Sequence, residues 1–222
     1  MVKKEYIFLG APACGKGTQT NLLAKELGLP HIDTGSLLRA AIKAQTPEGI
    51  IAQQYIDKGN LAPAEIVAQI IKNRLCEDDA KNGFILDGYP RSVEQADKLS
   101  LILEELDKDI DAEFVATYFD IDESILLERI INRYSCPKCG EIYNKKFKPS
   151  KKGDNCEKCD TLLSQRKDDT EEVAKARFKT FYAETAPLME YYKNKGVLRN
   201  LDATGSIEEI FERLKKTLNY GN

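Results

Sequence analysis

The segment at residues 5–18, EYIFLGAPACGKGT, restricts the possible fold more than any other part of the chain. A short apolar run leads directly into a loop framed by Gly10 and Gly15, and the loop carries Lys16 before a helix-forming sequence begins. Glycines let several backbone N–H groups point inward, the lysine adds a mobile positive charge, and a helix N-terminus is electropositive. The loop spacing also occurs by chance, but its strand and helix context predicts a phosphate-binding loop whose expected ligand is a nucleoside triphosphate.

Length and charge limit the remaining possibilities. The 222 residues are enough for one sizeable α/β core with room for inserted lobes. Acidic and basic residues nearly cancel, leaving a formal net charge of -3, so no global positive field favours nucleic acid. The apolar run Tyr6–Leu9 is too short for a signal peptide or a membrane span, so we expect a cytoplasmic protein without a membrane partner. In that reducing compartment the six cysteines are not expected to form disulfides.

Helix-like segments alternate along most of the chain with strand-like apolar runs at Tyr6–Leu9, Phe84–Asp87, Phe114–Phe119 and Val197–Leu201. Such alternation is typical of βαβ units that form a parallel sheet with helices on both faces. Two regions interrupt it: residues 33–62 hold two short helical patterns, and residues 132–169 are loop-like. We therefore predict an α/β, three-layer P-loop fold with two inserted lobes and a core formed by residues 1–32, 63–131 and 170–222.

The second lobe contains two Cys-x2-Cys pairs separated by sixteen residues, namely Cys136, Cys139, Cys156 and Cys159. Each pair can turn both thiolates toward one ion, and two pairs complete the tetrahedral shell that zinc prefers. Four cysteine ligands leave no open position for a substrate, so the predicted zinc is structural and folds a segment too small to sustain its own core. Redox cysteines or an iron site are the alternatives.

Residues 33–39, DTGSLLR, open the first lobe with a hydroxyl, a flexible turn and an arginine. Thr34 is placed either to bond to a base or to cap the following helix, and the spacing leaves both roles open. Arg39 is also compatible with an ordinary solvated position on a helix surface.

The apolar strand at residues 84–87 ends in Asp87, and a turn with Arg91 and then Gln95 follows. Open α/β sheets bind ligands outside the carboxyl ends of their strands. We therefore expect Asp87 to hold a magnesium ion, directly or through water, and Arg91 to reach a phosphate. The amide of Gln95 offers both a donor and an acceptor for a base edge.

These motifs together resemble the adenylate kinase family, and the similarity covers essentially the whole chain. It is carried in the family's order by residues 10–18 (GAPACGKGT), 33–39 (DTGSLLR), 87–91 (DGYPR) with Gln95, and 166–169 (RKDD). The combination is far more specific than any one motif. It implies that the lobe at 33–62 binds AMP and that the lobe at 132–169 is a zinc-bearing lid of the long-lid subtype. The resemblance also implies a monomer.

The resemblance assigns site residues in two groups. The ATP group comprises Ala13, Cys14, Gly15, Lys16, Gly17, Thr18, Arg129 and Tyr143. The AMP group comprises Thr34, Arg39, Gly88, Arg91, Gln95, Arg166 and Arg177. Within the second group, Thr34 and Gln95 are expected to read adenine, and Arg39 and Arg91 to hold the AMP phosphate. The charges expected to act on the transferred phosphoryl group are Lys16, Arg91, Arg129, Arg133, Arg166 and Arg177.

Spacing supports part of this assignment independently. Arg129 and Arg133 stand four residues apart in a helical pattern, which predicts one shared face that converges on a polyanion. A pair of solvated surface arginines is the alternative. Asp168 and Asp169 can hold Arg166 or its neighbours in place, and acidic residues at a helix start also suit the helix dipole.

The chain departs from common patterns at a few positions. Gly17 stands where many phosphate loops have a magnesium-binding hydroxyl, and Thr18 follows one position later, a feature that the family shares. Ala13 replaces a glycine of many members, which predicts a slightly altered loop backbone. Ser36 replaces an aspartate, which weakens any role assigned to that carboxylate. Cys14, close to a helix N-terminus, is a hypothetical reactive thiol.

The resemblance predicts reversible, Mg2+-dependent transfer of the γ-phosphoryl group from ATP to AMP, giving two ADP. The acceptor is already an anionic phosphate oxygen, so no general base is required, and the single histidine, His31, is expected to be structural. Another nucleoside monophosphate kinase, accepting UMP and CMP, is the nearest alternative, but the long lid argues against it. A zinc-ribbon nucleic-acid-binding ATPase and a non-catalytic nucleotide-binding regulator are the other classes considered.

Overall fold

The computed structural model of the chain describes residues 2–58, 60–165 and 169–220. Its main sheet contains five parallel strands in the order β2-β3-β1-β4-β7. These strands are β1 Lys3–Leu9, β2 His31–Asp33, β3 Gly83–Asp87, β4 Ala112–Asp120 and β7 Leu198–Asp202. The α/β parallel fold predicted from the alternation is confirmed, and the short strand β2 is an addition to that prediction.

Helices flank the sheet and also form the first inserted segment. They are α1 Lys16–Leu27, α2 Thr34–Lys43, α3 Pro47–Ile56, α4 Ala64–Leu75, α5 Val93–Leu106, α6 Glu123–Ile131, α7 Glu171–Thr180, α8 Pro187–Asn194 and α9 Ile207–Thr217. A second, antiparallel sheet consists of β5 Arg133–Ser135 and β6 Ile142–Asn144. In the described parts of the chain no helix is both long and apolar enough to cross a membrane.

Strand β1 lies at the centre of the sheet and packs apolar side chains on both faces. Tyr6 and Phe8 belong to one buried cluster, which also includes residues of α1, α7 and α9. Ile7 and Leu9 belong to the other, which includes residues of α4, α5 and α8. Burial of both faces is what a parallel sheet requires, and it explains why the run is continuously apolar rather than alternating.

The helix pair α2–α3 packs with little space to spare. Thr46 caps α3 by accepting a hydrogen bond from the Gly49 N–H at 3.1 Å. A Cβ atom added to Gly49 would lie only 2.2 Å from the Ala41 carbonyl oxygen, so a glycine is required at this contact. The two helices occupy the segment predicted as the AMP lobe, and β5–β6 lie in the segment predicted as the lid. The lobe boundaries themselves stay predictions.

Three charged side chains meet at the amino end of β1. The Lys3 Nζ lies 2.9 Å from Glu5 Oε1 and 2.6 Å from Asp107 Oδ1, and Glu5 is almost fully buried. Burial raises the pKa of Glu5 to about 7, the neighbouring Asp107 adds to that rise, and Lys3 opposes it.

We expect Glu5→Gln to reveal this raised pKa as a pH dependence of stability. The folded state holds a proton that an unfolded glutamate releases near pH 4.5, so stability is lost as pH rises from that value through about 7. The free energy of unfolding of Glu5→Gln minus that of the unsubstituted protein should therefore increase by about 2 kcal/mol between pH 5 and pH 8. Urea unfolding at both values measures it, and a constant difference would contradict the prediction.

Candidate active site

The predicted phosphate loop lies between the end of β1 and the start of α1. Gly10 and Gly15 have φ angles of +148° and +98°, a region that side chains disfavour, so glycine is required at both turns. Helix α1 starts at Lys16, whose Nζ donates to the carbonyl oxygens of Gly10 at 2.6 Å and Ala11 at 3.3 Å. The ammonium group therefore lies against the loop at the electropositive end of a helix, where an anion would be bound.

Ala13 and Cys14 are the two unusual residues of this loop. Ala13 has a φ of +65°, a left-handed conformation that costs an L-residue about 1 kcal/mol and that glycine would adopt without this cost. The Cys14 side chain is only 1% exposed and packs in the core beneath the loop, with its Sγ 3.5 Å from Lys16 Nζ. Its burial removes the access that a reactive thiol needs.

Asp87, at the carboxyl end of β3, faces the same loop. A Cβ atom added to Gly17 would lie 3.4 Å from Asp87 Oδ2, so the missing side chain keeps space beside the carboxylate. Thr20 Oγ1 and His31 Nε2 lie 3.3 Å and 3.4 Å from the same oxygen. Burial alone would raise the pKa of Asp87, but the hydrogen bond with His31 and the positive charge of Lys16 outweigh it and lower that pKa.

Arg129, in the last turn of α6, reaches the phosphate loop from the opposite side. Its guanidinium lies 4.0 Å from the position that a Cβ on Gly15 would occupy, and 5.6 Å from the centre of the Phe147 ring. No hydrogen bond or ion pair joins this guanidinium to another residue in the described ranges. A half-buried arginine without an anionic partner beside a phosphate loop is suited to bind phosphate.

The prediction that Arg129 and Arg133 share one helix face is wrong. Helix α6 ends at Ile131, and Arg133 is the first residue of β5. Asn132 is the C-cap residue of α6, and both its backbone N–H and its side-chain amide donate to the Glu128 carbonyl, at 3.3 Å and 2.9 Å. The change of structure turns Arg133 away from the α6 face.

Arg133 instead pairs with Asp169, a carboxylate whose side chain is fully buried. Its Nε donates to Asp169 Oδ2 at 2.7 Å, and its second nitrogen donates to the other carboxylate oxygen. Arg177, on α7, lies 3.6 Å from Asp169 Oδ1. One buried carboxylate thus holds two arginines close together. Arg166 and Asp168 lie outside the described residues.

At the start of α2 the structure separates the two roles considered for Thr34. Asp33 caps the helix, accepting from the N–H groups of Gly35 and Ser36 at 3.1 Å each. Thr34 is 2% exposed, and its buried hydroxyl has no hydrogen-bond partner in the described parts of the chain. The Arg39 guanidinium donates to Asp33 Oδ2 at 3.2 Å. Because a buried hydroxyl without a partner is costly, Thr34 is suited to a polar ligand rather than to capping.

The Asp87 strand continues into a turn that presents Arg91 and Gln95. Arg91 Nε donates to the Gly88 carbonyl at 2.7 Å, and a Cβ on Gly88 would lie 3.0 Å from the Arg91 guanidinium. Gln95 is buried at the start of α5, and its Oε1 accepts from the Arg91 N–H at 2.8 Å. The amide nitrogen of Gln95 makes no hydrogen bond to any other described residue, so a donor remains for a ligand.

Cys136, Cys139, Cys156 and Cys159 form one cluster of free thiols whose Sγ atoms lie within 4.8 Å of one another. Two of its Sγ–Sγ separations are 3.3 Å for Cys136–Cys159 and 3.5 Å for Cys139–Cys156. Zinc–sulfur bonds of about 2.3 Å place tetrahedral sulfur ligands about 3.8 Å apart, so the cluster fits a tetrahedral four-thiolate metal site. Burial opposes ionisation of Cys156, but hydrogen bonds from Tyr143 and from backbone N–H groups lower its pKa to about 6.

The two cysteine pairs share the same turn. The N–H groups of Gly140 and Asp160 donate to the carbonyls of Cys136 and Cys156, each at 2.9 Å, and both residues have positive φ angles of 75° and 60°. Tyr143 is buried between the pairs, and its hydroxyl accepts from the Glu157 N–H at 2.9 Å. The structure therefore places the Tyr143 side chain among the cysteines, with its hydroxyl 3.5 Å from Cys156 Sγ.

Comparisons with known proteins agree with this geometry. The sequence model of the adenylate kinase family matches residues 8–197. An adenylate kinase of Thermodesulfovibrio yellowstonii is 44% identical over 208 residues, which is 94% of this chain and 95% of that protein. An adenylate kinase of Clostridium botulinum is 44% identical over 212 residues, which is 96% of this chain and 97% of that protein. An adenylate kinase of Clostridium kluyveri is 42% identical over 212 residues, which is 96% of each chain. The chain belongs to the adenylate kinase family. It is a nucleoside monophosphate kinase, and the alternative classes considered from the sequence are not favoured.

Two residues beside the adenylate kinase site were not identified from the sequence. His31 and Thr20 were missed as neighbours of Asp87, although His31 was expected to have a structural role. Their contact, with His31 Nε2 3.0 Å from Thr20 Oγ1, joins β2 to α1. The signal that could have indicated it is the placement of His31 on the short strand β2, which pairs directly with β3.

Proposed function

We propose that this adenylate kinase family member transfers the γ-phosphoryl group of ATP to AMP across the carboxyl ends of β1 and β3. The single observation that carries the proposal is the placement of Lys16 and Arg129 around one phosphate loop, with Asp87 beside it and Arg91 in the turn that follows β3. On the donor side, loop N–H groups from Ala13 to Thr18 and the Lys16 ammonium would bind ATP phosphates.

On the acceptor side, Thr34 and Gln95 would read the adenine of AMP. The unpartnered Thr34 hydroxyl and the free amide nitrogen of Gln95 support this assignment. Arg39, Arg91 and Gly88 would bind the AMP phosphate, Gly88 because its lack of a side chain lets the Arg91 guanidinium fold back closely. Among the residues the resemblance assigns, Arg166 stays a proposal from the resemblance alone.

The chemistry that we propose for these residues is electrostatic. The attacking AMP oxygen already carries negative charge, so no side chain has to remove a proton. Lys16 and the arginines Arg91, Arg129, Arg133 and Arg177 would align the two nucleotides and neutralise the charge of the transferred group. Mg2+ would arrive with ATP, and Asp87, with its lowered pKa, is ionised and suited to hold it directly or through water.

We propose that the lid cysteines hold a structural zinc ion. The Sγ spacing and the low pKa of Cys156 support a four-thiolate site, and the lid's own apolar cluster contains few residues. Arg129 is proposed to lie on the ATP side of this lid. Tyr143 is proposed there from the resemblance alone, because its side chain is buried among the cysteines. Zinc would keep the segment folded while closure of the lid excludes water, which would otherwise compete for the phosphoryl group.

We expect zinc removal to lower thermal stability more than early turnover. Treatment with a chelator should lower the melting temperature by at least about 5 °C. The initial rate, measured before the protein unfolds, should stay above half of the rate of the untreated protein. Cys156→Ser should reproduce the loss of stability, whereas Cys76→Ser, which changes an exposed cysteine outside the cluster, should not. Prompt and complete loss of activity in a protein that is still folded would contradict this division of roles.

The acceptor assignment is tested by initial rates with ATP and Mg2+ and with AMP, GMP, CMP or UMP as acceptor. We expect kcat/KM for AMP to exceed that for each other acceptor by at least about 100-fold, because a site that hydrogen-bonds one base leaves polar groups unpaired with another. Equal or better use of CMP and UMP would favour the pyrimidine kinase alternative. We also propose a cytoplasmic monomer without a nucleic-acid partner; the net charge of -3 supports the last point.

A further inference from the structure

A π-helical turn, Phe181–Thr185, separates α7 from α8 in one nearly continuous helical run. The Ala186 N–H donates to the Phe181 carbonyl, five residues earlier, at 2.8 Å. Pro187 accounts for this widening, because it lacks an N–H and its ring would clash with the carbonyl four residues before it. One extra residue in a turn rotates the side chains that follow by about 100° around the helix axis. Pro187 therefore determines which way the side chains on the two sides of the turn face relative to each other.

The turn is hydrogen-bonded to two other segments of the chain. The Thr185 hydroxyl, in a side chain that is largely buried, donates to the backbone carbonyl of Arg91 at 2.7 Å. The Tyr182 hydroxyl donates to Glu123 Oε2, at the start of α6, at 2.8 Å. The turn therefore contacts the segment that carries Arg91 and the helix that ends near the phosphate loop.

The backbone of Arg91 depends on few anchors. Its N–H donates to Gln95 at 2.8 Å, and its carbonyl accepts from Thr185. Arg177 lies on the same helical run as Thr185, two turns earlier. A hydrogen bond from Thr185 thus fixes the Arg91 peptide relative to the helix that presents Arg177.

We infer that Thr185 is a positioning residue for the acceptor phosphate. It holds the Arg91 peptide plane, and with it the Arg91 guanidinium, at a fixed place relative to Arg177. The inference rests on the proposed function, in which Arg91 binds the phosphate of AMP. It goes beyond that function because Thr185 touches neither nucleotide and acts only through the Arg91 backbone.

The test compares KM for AMP with KM for ATP in Thr185→Val, which keeps the side-chain shape and removes the donor. Loss of one buried hydrogen bond should raise KM for AMP about 3- to 10-fold, while KM for ATP changes less than about twofold. Thr185→Ser keeps the hydroxyl and should restore KM for AMP to within about twofold. Thr217→Val is the matched control, because it removes a hydroxyl that donates to the Arg213 carbonyl at 2.9 Å in the remote helix α9.

Arg91→Met separates failure of this inference from failure of the proposed function. If Arg91→Met raises KM for AMP but Thr185→Val leaves it unchanged, or raises both KM values equally, the inference is wrong and the proposed function stands. If Arg91→Met itself leaves KM for AMP unchanged, the acceptor assignment is wrong. If Thr185→Val does not fold, Thr185→Ala takes its place in the test. The ratio of KM for AMP to KM for ATP is then compared in the same way.

Discussion

Lys16→Met should lower kcat for ADP formation by about 10²–10³-fold at an unchanged fold. Methionine keeps an unbranched side chain up to the ε position but removes the ammonium group at the phosphate loop, where Lys16 Nζ now lies 2.6 Å from the Gly10 carbonyl. That ammonium would neutralise the negative charge of the phosphoryl group while the group is transferred. Its loss should therefore destabilise the transition state more than it weakens the binding of either nucleotide. Initial rates at saturating ATP and AMP measure the effect.

Lys25→Met is the matched control for this substitution. Lys25 is exposed in the last turn of the same helix, so its replacement should change kcat by less than about twofold. Circular dichroism and the melting temperature of both variants establish that the fold is retained. Near-normal turnover of a folded Lys16→Met protein would show that the loop does not act on the phosphoryl group.

Asp169→Asn should reduce both stability and turnover. The Asp169 side chain is fully buried between Arg133 and Arg177, so removal of its charge deprives Arg133 of its buried carboxylate partner and leaves the repulsion between the two guanidinium groups unscreened. Breaking a buried ion pair from one side costs about 3–5 kcal/mol in the free energy of unfolding. Because the carboxylate no longer holds the two arginines close together, we also expect kcat to fall about 10- to 100-fold. Urea unfolding and initial rates measure the two effects separately.

Asp160→Asn, in the segment that holds the cysteine cluster, provides the comparison for Asp169→Asn. Asp160 pairs with Lys152 at 3.1 Å, but both side chains are largely exposed, so the pair should contribute little to stability. Its substitution should change neither unfolding nor turnover measurably. If the two variants were indistinguishable, the buried carboxylate would not be organising the arginines.

The local motifs of this chain could be predicted from sequence because each depends on nearby residues. A glycine-framed loop after an apolar strand, and two Cys-x2-Cys pairs, determine their own geometry over a few positions. The expected strands at Tyr6–Leu9 and Phe84–Asp87 are found within β1 and β3 for the same reason, since buried parallel strands read as continuous apolar runs.

Features that depend on tertiary contacts were not predictable in the same way. A four-residue spacing suggested one helix face for Arg129 and Arg133, but α6 ends at Ile131, between them. The contact of His31 with Asp87 joins residues 56 positions apart, and that of Thr185 with Arg91 joins residues 94 positions apart. Hydrogen bonds of such sequence separation are set by sheet order and helix packing rather than by any local pattern.

The proposed transfer of the γ-phosphoryl group from ATP to AMP is tested most directly by following where that group goes. With ATP labelled at the γ-phosphate, Mg2+ and AMP, we predict that the label appears in the ADP formed from AMP. Very little should appear as inorganic phosphate, because the closed site excludes water. Without AMP the label should stay in ATP. Release of the label as inorganic phosphate at the same rate with and without AMP would contradict the account.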